Sequence, residues 1–188
     1  MSEHFMKDYV KEILFTEEEI QWKVAQLGKQ ITEDYKGKEV VFVGILKGSF
    51  MFMADLVRAV DLFASVDFMV VSSYGDSTVT SGQVMILKDL GKPIENKHVI
   101  IVEDILDTGT TLSYLKKILN ERHPASLKIC TLLDKPERRN PELNIVADYA
   151  GFSVGNQFVI GYGLDYAEKF RNLPFIGIAK EDIISDVK

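Results

Sequence analysis

The stretch from residue 98 to 112, HVIIVEDILDTGTTL, constrains the fold of this chain more than any other segment. Its apolar run at 99–102 is of the kind found in strands buried on both faces of a parallel sheet. Two adjacent acids, Glu103 and Asp104, follow this run, and two further apolar residues lead into a turn at 107–111. We therefore expect a buried strand that brings paired carboxylates and a hydroxyl-rich turn to one edge of a sheet.

Apolar runs and helical patterns alternate along the rest of the chain. Thr16 and Glu19 form a capping-box pattern, which predicts the start of a helix. The expected helices span 16–34, 50–60 and 112–120, with a brief one at 166–170, and the expected strands span 40–46, 66–71, 84–87, 99–102, 127–133, 144–147, 157–162 and 175–179. Strands joined by short helical connections favour parallel pairing with right-handed crossovers.

The predicted fold is therefore α/β, a mostly parallel twisted sheet flanked by helices. We expect a single domain over residues 1–188. Its core should span about 36–150, and a small hood should be built from both chain ends, at about 1–35 and 151–188.

The composition argues against several classes of function. The formal net charge of −6 argues against a nucleic-acid partner, because such proteins usually show a concentrated basic face. No stretch approaches the ~20 apolar residues of a membrane helix, and the first residues lack a signal-peptide core. The single cysteine, Cys130, lies in an apolar run, so we expect a buried, inert thiol. These features predict a cytoplasmic protein with no membrane partner.

Sheets of this kind bind ligands beyond the carboxyl ends of their strands. The residues with suitable chemistry that directly follow expected strands are Lys47, Ser73, Glu103, Asp107 and Lys135. They are far apart in sequence, but this topology can bring them to one crevice.

The turn at 107–111 has the chemistry of a phosphate site. Its backbone N–H groups, its hydroxyls and the positive end of the following helix all favour an anion. The adjacent carboxylates can hold sugar hydroxyls or Mg²⁺, which prefers oxygen ligands. Neither the nucleotide-triphosphate loop nor the dinucleotide fingerprint is present. The alternative is a polar strand end with a capping turn and no ligand.

The segment VIIVEDILDTGTTL resembles the phosphoribosyl-pyrophosphate (PRPP) signature of the type I phosphoribosyltransferases. Further stretches at 44–56, 66–75, 129–139 and 158–174 resemble the 6-oxopurine branch of that family, and the resemblance covers about 16–179. It implies a purine salvage enzyme that transfers the 5-phosphoribosyl group from PRPP to N9 of hypoxanthine and of guanine. The products would be IMP or GMP and pyrophosphate.

The resemblance assigns roles around the signature. The turn residues, which would cradle the ribose 5-phosphate, are Asp107, Thr108, Gly109, Thr110 and Thr111. Glu103 and Asp104 would hold the ribose hydroxyls directly or through Mg²⁺. Asp107 would also manage the N7 proton of the purine as general base or acid. Some relatives carry Lys where this chain has Thr110, so a side-chain charge is missing here.

Other positions complete the implied site. Leu46, Lys47, Gly48 and Arg171 would bind pyrophosphate, and the Leu46–Lys47 peptide is often cis in the family. Asp165 would reach a second Mg²⁺. Without the resemblance, Arg171 could be a solvated surface charge and Asp165 a turn residue.

The purine pocket and the lid follow from the same resemblance. Lys135 would donate to the purine O6, Phe158 would stack on the base, and Val159 would meet the base edge through its backbone. Ser73 and Tyr74 would open a mobile lid, whereas the composition of 75–83 alone slightly favours a simple hairpin. The plain alternatives are a surface charge for Lys135 and a core position for Phe158.

Two rival functions remain at this stage. One is a PRPP-sensing regulator without essential chemistry, and the other is a phosphoribosyltransferase for xanthine or a pyrimidine. The expected partners are small-molecule substrates and further copies of the chain, because the family commonly forms homodimers or homotetramers.

Overall fold

A computed structural model of the chain describes residues 5–73 and 84–181. Its elements in chain order are β1 (Val10–Phe15), α1 (Glu17–Asp34), β2 (Val40–Leu46), α2 (Phe50–Ala59), β3 (Ala64–Ser73), β4 (Val84–Lys88), β5 (His98–Leu106), α3 (Thr110–Asn120), β6 (Ser126–Asp134), β7 (Tyr149–Ser153), β8 (Val159–Ile160) and β9 (Ile176–Ala179). Short 3-10 turns lie at Phe5–Tyr9, Pro136–Arg138 and Pro141–Leu143.

The main sheet has six strands in the order β4-β3-β2-β5-β6-β7. All neighbouring pairs are parallel except β3 and β4, so the expectation of a mostly parallel sheet is confirmed. Strand β5 is central, and the side chains of 99–102 are fully buried. The strand runs further than its apolar pattern because pairing with β6 continues to Leu106, opposite Asp134. The two acids therefore lie within the last part of the strand.

Side chains of β5 alternate between two hydrophobic clusters. Ile100 and Val102 pack in the cluster that contains the buried residues of α1 and α2. Val99 and Ile101 pack in the other cluster, with the buried face of α3. Burial of each such aliphatic side chain contributes about 1.5–3 kcal/mol, and this fixes the register of the strand.

The predicted helix start at Thr16 is confirmed. The Thr16 amide donates to Glu19 Oε2 at 2.8 Å, and the Glu19 amide donates to Thr16 Oγ1 at 3.2 Å. The predicted buried thiol is also confirmed, because Cys130 is fully buried and burial raises its pKa.

A small sheet of three antiparallel strands, in the order β1-β9-β8, unites segments from both parts of the chain. Its own cluster of buried side chains is formed by Ile160, Phe170, Leu173, Phe175 and Ala179. The small sheet therefore holds the segment between β8 and β9 against the end of the main sheet.

Two predicted elements are wrong. The strand expected at 144–147 does not form; the last strand of the main sheet is β7 instead. Asn144 takes a left-handed conformation (φ 44°) and breaks the extended backbone, while Ile145 is buried in the α3 cluster from a loop. The helix expected at 166–170 is a tight turn. Ala167 and Glu168 have φ values of 49° and 63°, which a right-handed helix cannot contain.

The strand expected at 157–162 is shorter than predicted. Strand β8 ends at Ile160 because Gly161 takes a φ of 102°. Strand β4 returns antiparallel to β3, with Ser73 opposite Val84, as expected for a hairpin. Tyr74 and the segment 75–83, the predicted lid, lie outside the described residues. Among the helices of the described ranges, none is long and apolar enough to cross a membrane.

Candidate active site

The turn at 107–111, called the phosphate turn below, connects β5 to α3. Gly109 precedes the helix with a φ of 86°, and a Cβ at this position would collide with Ile145. Because glycine has no side chain, it places no capping group over the first amides of α3. Glu103 and residues 105–112 line a cavity of about 90 Å³ at this helix end. The turn is therefore shaped to receive an anion at the positive end of a helix.

The hydroxyl groups of the turn are ordered among themselves. Thr108 Oγ1 and Thr110 Oγ1 lie 3.2 Å apart, and the Ser113 amide donates to the Gly109 carbonyl at 2.8 Å. The Asn140 amide donates to the Thr108 carbonyl at 3.1 Å. The segment after β6 thus supports the turn from behind.

Glu103 and Asp104 point to opposite faces of β5, as consecutive strand residues do. Glu103 lines the phosphate cavity, and its buried Oε2 has no hydrogen-bond partner. Asp104 lies on the other face against Gly48, where a Cβ would collide with its carboxylate. The close approach of Asp104 to the β2–α2 turn therefore requires glycine at position 48.

Both carboxyl groups resist ionisation. Burial, together with the negative charge of Asp104, raises the pKa of Glu103 well above its usual value. Burial raises the pKa of Asp104 to about 6, although the Ile105 amide and the Arg171 charge oppose this shift. A bound cation would favour the ionised form of these carboxyl groups. The buried Oε2 of Glu103, which has no hydrogen-bond partner, is available to bind such a cation. Because the two acids lie on opposite faces of β5, each by itself offers one carboxylate, which fits Mg²⁺ since this ion typically takes one or two carboxylates and completes its shell with substrate phosphates and water.

The residues expected at pyrophosphate are brought together from two distant segments. The Leu46–Lys47 peptide is cis, as the resemblance implies. Arg171 donates to the Gly163 carbonyl at 2.7 Å and pairs with Asp165 at 2.9 Å. Arg171 is largely buried, so its interpretation as a solvated surface charge is wrong.

Asp165 also has the structural role that its turn pattern suggested. Its Oδ2 accepts from the Glu168 amide at 2.8 Å, while its Oδ1 faces Arg171. Asp165 and Arg171 both act electrostatically on Asp104. Asp165, the ligand predicted for a second Mg²⁺, is therefore close enough to Asp104 to influence its charge. Within the described residues, no three His, Cys, Asp or Glu side chains alone form a metal-binding group.

The residues expected at the purine come together where the end of β6 meets the start of β8. Lys135 is only 6% exposed, and its Nζ donates to the Gln157 carbonyl at 2.8 Å. Burial lowers the pKa of Lys135, and the Asp107 charge partly offsets this. The alternative of a solvated surface charge is therefore wrong for Lys135.

Phe158 and Val159 follow directly after the carbonyl that Lys135 contacts. Phe158 is 44% exposed and meets the Tyr166 ring edge-on at 5.4 Å, so its interpretation as a core residue is wrong. Val159 is buried in β8. The exposed ring of Phe158 can stack on a flat base, and the buried ammonium group of Lys135 can donate to the rim of that base.

Two functional candidates, Arg138 and Arg139, escaped the sequence interpretation. Arg138 Nε donates to Asp107 Oδ1 at 2.6 Å, and its NH1 donates to Asn156 Oδ1 at 3.0 Å. Arg139 pairs with Asp134 and packs beside Gly109. The only signal was a pair of basic residues shortly after Lys135.

Fold and site together define the class of protein. The chain belongs to the phosphoribosyl transferase domain family, whose family model matches residues 11–167. It is similar to the hypoxanthine-guanine phosphoribosyltransferase of Staphylococcus aureus (strain Mu50), with 52% identity over 96% of this chain and 100% of that protein. A crystal structure of a hypoxanthine phosphoribosyltransferase from S. aureus superimposes with a TM-score of 0.93, at 52% identity over 97% of this chain and 98% of the other.

A further relative is larger. The bifunctional protein TilS/HprT of Listeria monocytogenes is 50% identical over 96% of this chain, which spans 28% of that protein's length. The similarity is therefore to one part of a longer polypeptide.

Proposed function

We propose that this chain transfers the 5-phosphoribosyl group from PRPP to N9 of hypoxanthine and of guanine, forming IMP or GMP and pyrophosphate. The observation that carries the proposal is that a phosphate turn and a buried lysine follow the ends of the adjacent strands β5 and β6. The Lys135 amide donates to the Leu106 carbonyl at 2.9 Å, so the lysine follows directly beside the end of β5. The name of the S. aureus relative supports the same pair of bases.

Asp107 occupies the position between the two substrates. It begins the phosphate turn, and its charge acts on Lys135. With Oδ1 held by Arg138, its second oxygen is available for the N7 proton of the purine. Asp107 would take up or return that proton while N9 attacks C1 of the ribose.

The leaving group departs on the opposite side. Breaking the C1–O bond places positive charge on the ribose and negative charge on pyrophosphate. Lys47 and Arg171, together with the Leu46–Gly48 backbone, would stabilise that negative charge through preorganised donors. Glu103 and Asp104 would hold the ribose hydroxyls directly or through Mg²⁺, and a second Mg²⁺ held by Asp165 would supply further positive charge to pyrophosphate.

Lys135 accounts for the choice among purines. A buried ammonium donates to the O6 acceptor of hypoxanthine and guanine. The amino group of adenine would face it as another donor, and an unmatched buried donor strongly disfavours the wrong base. Lys135 does not distinguish xanthine, which also carries O6.

The direct test is to mix the purified protein with Mg²⁺, PRPP and one base, and to separate the products by chromatography. We expect IMP from hypoxanthine and GMP from guanine, each with an equal amount of pyrophosphate, and no AMP from adenine. Rates with xanthine rank the third 6-oxopurine. Binding of PRPP without formation of any nucleotide would instead indicate the regulator.

We also expect the protein to assemble as a homodimer or homotetramer, as the family commonly does. Light scattering on the eluting peak of a size-exclusion column measures the mass directly. A mass of one chain, 21.2 kDa, would contradict this expectation.

A further inference from the structure

Glu168 stands between the two cations expected at pyrophosphate. Its Oε2 lies 2.8 Å from Lys47 Nζ, and its Oε1 lies 3.4 Å from the NH2 atom of Arg171. One carboxylate therefore bridges a lysine from the β2–α2 turn and an arginine from the segment before β9. These are the charges that the pyrophosphate of PRPP would need.

The backbone holds Glu168 in this place. Ala167 and Glu168 form the two left-handed positions of a tight turn, closed by reciprocal bonds between Tyr166 and Lys169 at 3.0 and 3.1 Å. The Glu168 amide is fixed by Asp165 Oδ2 at 2.8 Å. Left-handed positions strain a residue with a side chain, so a glycine or asparagine would be the ordinary occupant.

The side chain of Glu168 has no structural task that requires a carboxylate. It is 65% exposed, as is Lys47, and exposed ion pairs of this kind contribute little to folding. Its carboxylate oxygens instead pair with the same two cations that a diphosphate would approach with its own negatively charged oxygens.

We propose that Glu168 sets the affinity of the pyrophosphate site by competing for Lys47 and Arg171. The carboxylate pairs with both cations before pyrophosphate binds. An arriving pyrophosphate group takes over these contacts and displaces the carboxylate towards solvent. The inference rests on the proposed function, because it assigns the two cations to pyrophosphate.

Competition by Glu168 would affect how easily the product leaves the site. The site must bind PRPP and then release inorganic pyrophosphate, which carries the same diphosphate group. When the Glu168 carboxylate returns to the cations, it lowers the affinity of the site for PRPP and for pyrophosphate. The lower affinity favours release of pyrophosphate. It also disfavours single weak anions, which cannot displace a carboxylate from two cations together.

The test is calorimetric titration of the full-length protein with inorganic pyrophosphate and Mg²⁺, comparing the wild type with Glu168→Gln. Removal of the competing charge should tighten binding about fivefold, or about 1 kcal/mol, and should lower the KM for PRPP by a similar factor. The matched control is Glu33→Gln, which breaks an exposed pair with Lys29 (4.0 Å) and changes the net charge equally. It should leave both values unchanged.

Unaltered or weaker binding of pyrophosphate by Glu168→Gln would overturn the proposal, as would equal tightening by Glu33→Gln. Formation of IMP by the wild type is measured in parallel. If the wild type forms IMP and the variant does not bind pyrophosphate more tightly, only the role of Glu168 fails. If the wild type forms no IMP, the proposed function fails, independently of the titration.

Discussion

The two parts of the proposed active site are built differently. On the proposed purine side, the phosphate turn and Lys135 follow the neighbouring strands β5 and β6, so the sheet itself fixes their spacing. On the proposed pyrophosphate side, Lys47 and Glu168 come from segments 121 residues apart and meet through an exposed ion pair. The sheet thus holds the groups that would require accurate alignment. The groups proposed to bind and release pyrophosphate depend on exposed contacts that break easily.

The sharpest test of this difference is Asp107→Asn. The change keeps the shape of the phosphate turn but removes the proton acceptor, so turnover should fall about 10²–10⁴-fold. Binding of PRPP, measured by calorimetry, should change far less, because the helix end and the turn amides remain. Unchanged turnover would show that Asp107 does not transfer the proton. No general base would then be assigned next to the purine.

Lys135→Ala tests whether the purine side is a separate unit. Loss of a charged hydrogen bond to O6 should lower kcat/KM for hypoxanthine and guanine about 10–100-fold. The KM for PRPP should stay within a factor of about two, because the side chain of Lys135 donates to Gln157 and not to a residue proposed to bind pyrophosphate. Circular dichroism confirms that the variant is folded. Equal losses for PRPP and purine would show that the two sides are not independent.

Arg138→Gln asks whether the purine side also relies on an ion pair. Arg138 holds Asp107 but is half exposed, so its removal should lower kcat about three- to fivefold, in line with the modest worth of exposed pairs. The control is Arg122→Gln, which breaks the exposed pair with Asp89 at 2.8 Å and should not affect turnover. A change in the KM for PRPP without a change in kcat would place Arg138 on the phosphate instead of on Asp107.

Asp104→Asn tests a residue that belongs to β5 but lies against Gly48 in the β2–α2 turn. The pKa of Asp104 is raised from 3.8 to about 6, so the folded state holds this proton more tightly than the unfolded state. Its contribution to stability is therefore lost as pH rises from about 4 to about 6. Above pH 6 the buried charge costs on the order of 1–3 kcal/mol.

Asp104→Asn should accordingly raise the Tm at pH 8 by about 2–12 °C, given the usual dependence of Tm on stability for this chain length. The difference from the wild type should vanish near pH 4. Scanning calorimetry at both pH values measures it, and activity should fall because a ligand for sugar or metal is lost. Equal Tm values at pH 8 would show that the carboxylate is well solvated.

Much of the sheet could be predicted because its pattern is local. The strand at 40–46 was predicted with its observed bounds, and apolar runs located β5 and β6, since burial on both faces demands them. The wrong elements lie where tertiary contacts decide. The segment 166–170 has helical propensity, but its turn is closed by bonds that local propensity does not encode.

The site shows the same division. Neighbouring residues such as Glu103 and Asp104 could be assigned from the pattern and the family resemblance. The partners of those residues could not, because Arg138 meets Asp107 only after β6 returns beside β5. Glu168 reaches Lys47 only through the left-handed turn at 166–169, where the local sequence pattern favours a helix.

The opposite orientations of Glu103 and Asp104 have a consequence for how this chain can change in evolution. Because the two acids lie on opposite faces of β5, the loss or gain of one residue in 99–102 would turn each acid to the face of the other. With one residue lost, Asp104 would lie at the phosphate cavity and Ile105 against Gly48. With one residue gained, Glu103 would lie against Gly48 and Val102 at the phosphate cavity. Strand β5 therefore tolerates exchange among Val and Ile but no change of length. Insertions and deletions in this gene should accumulate elsewhere, whereas the number of residues before the two acids stays constant.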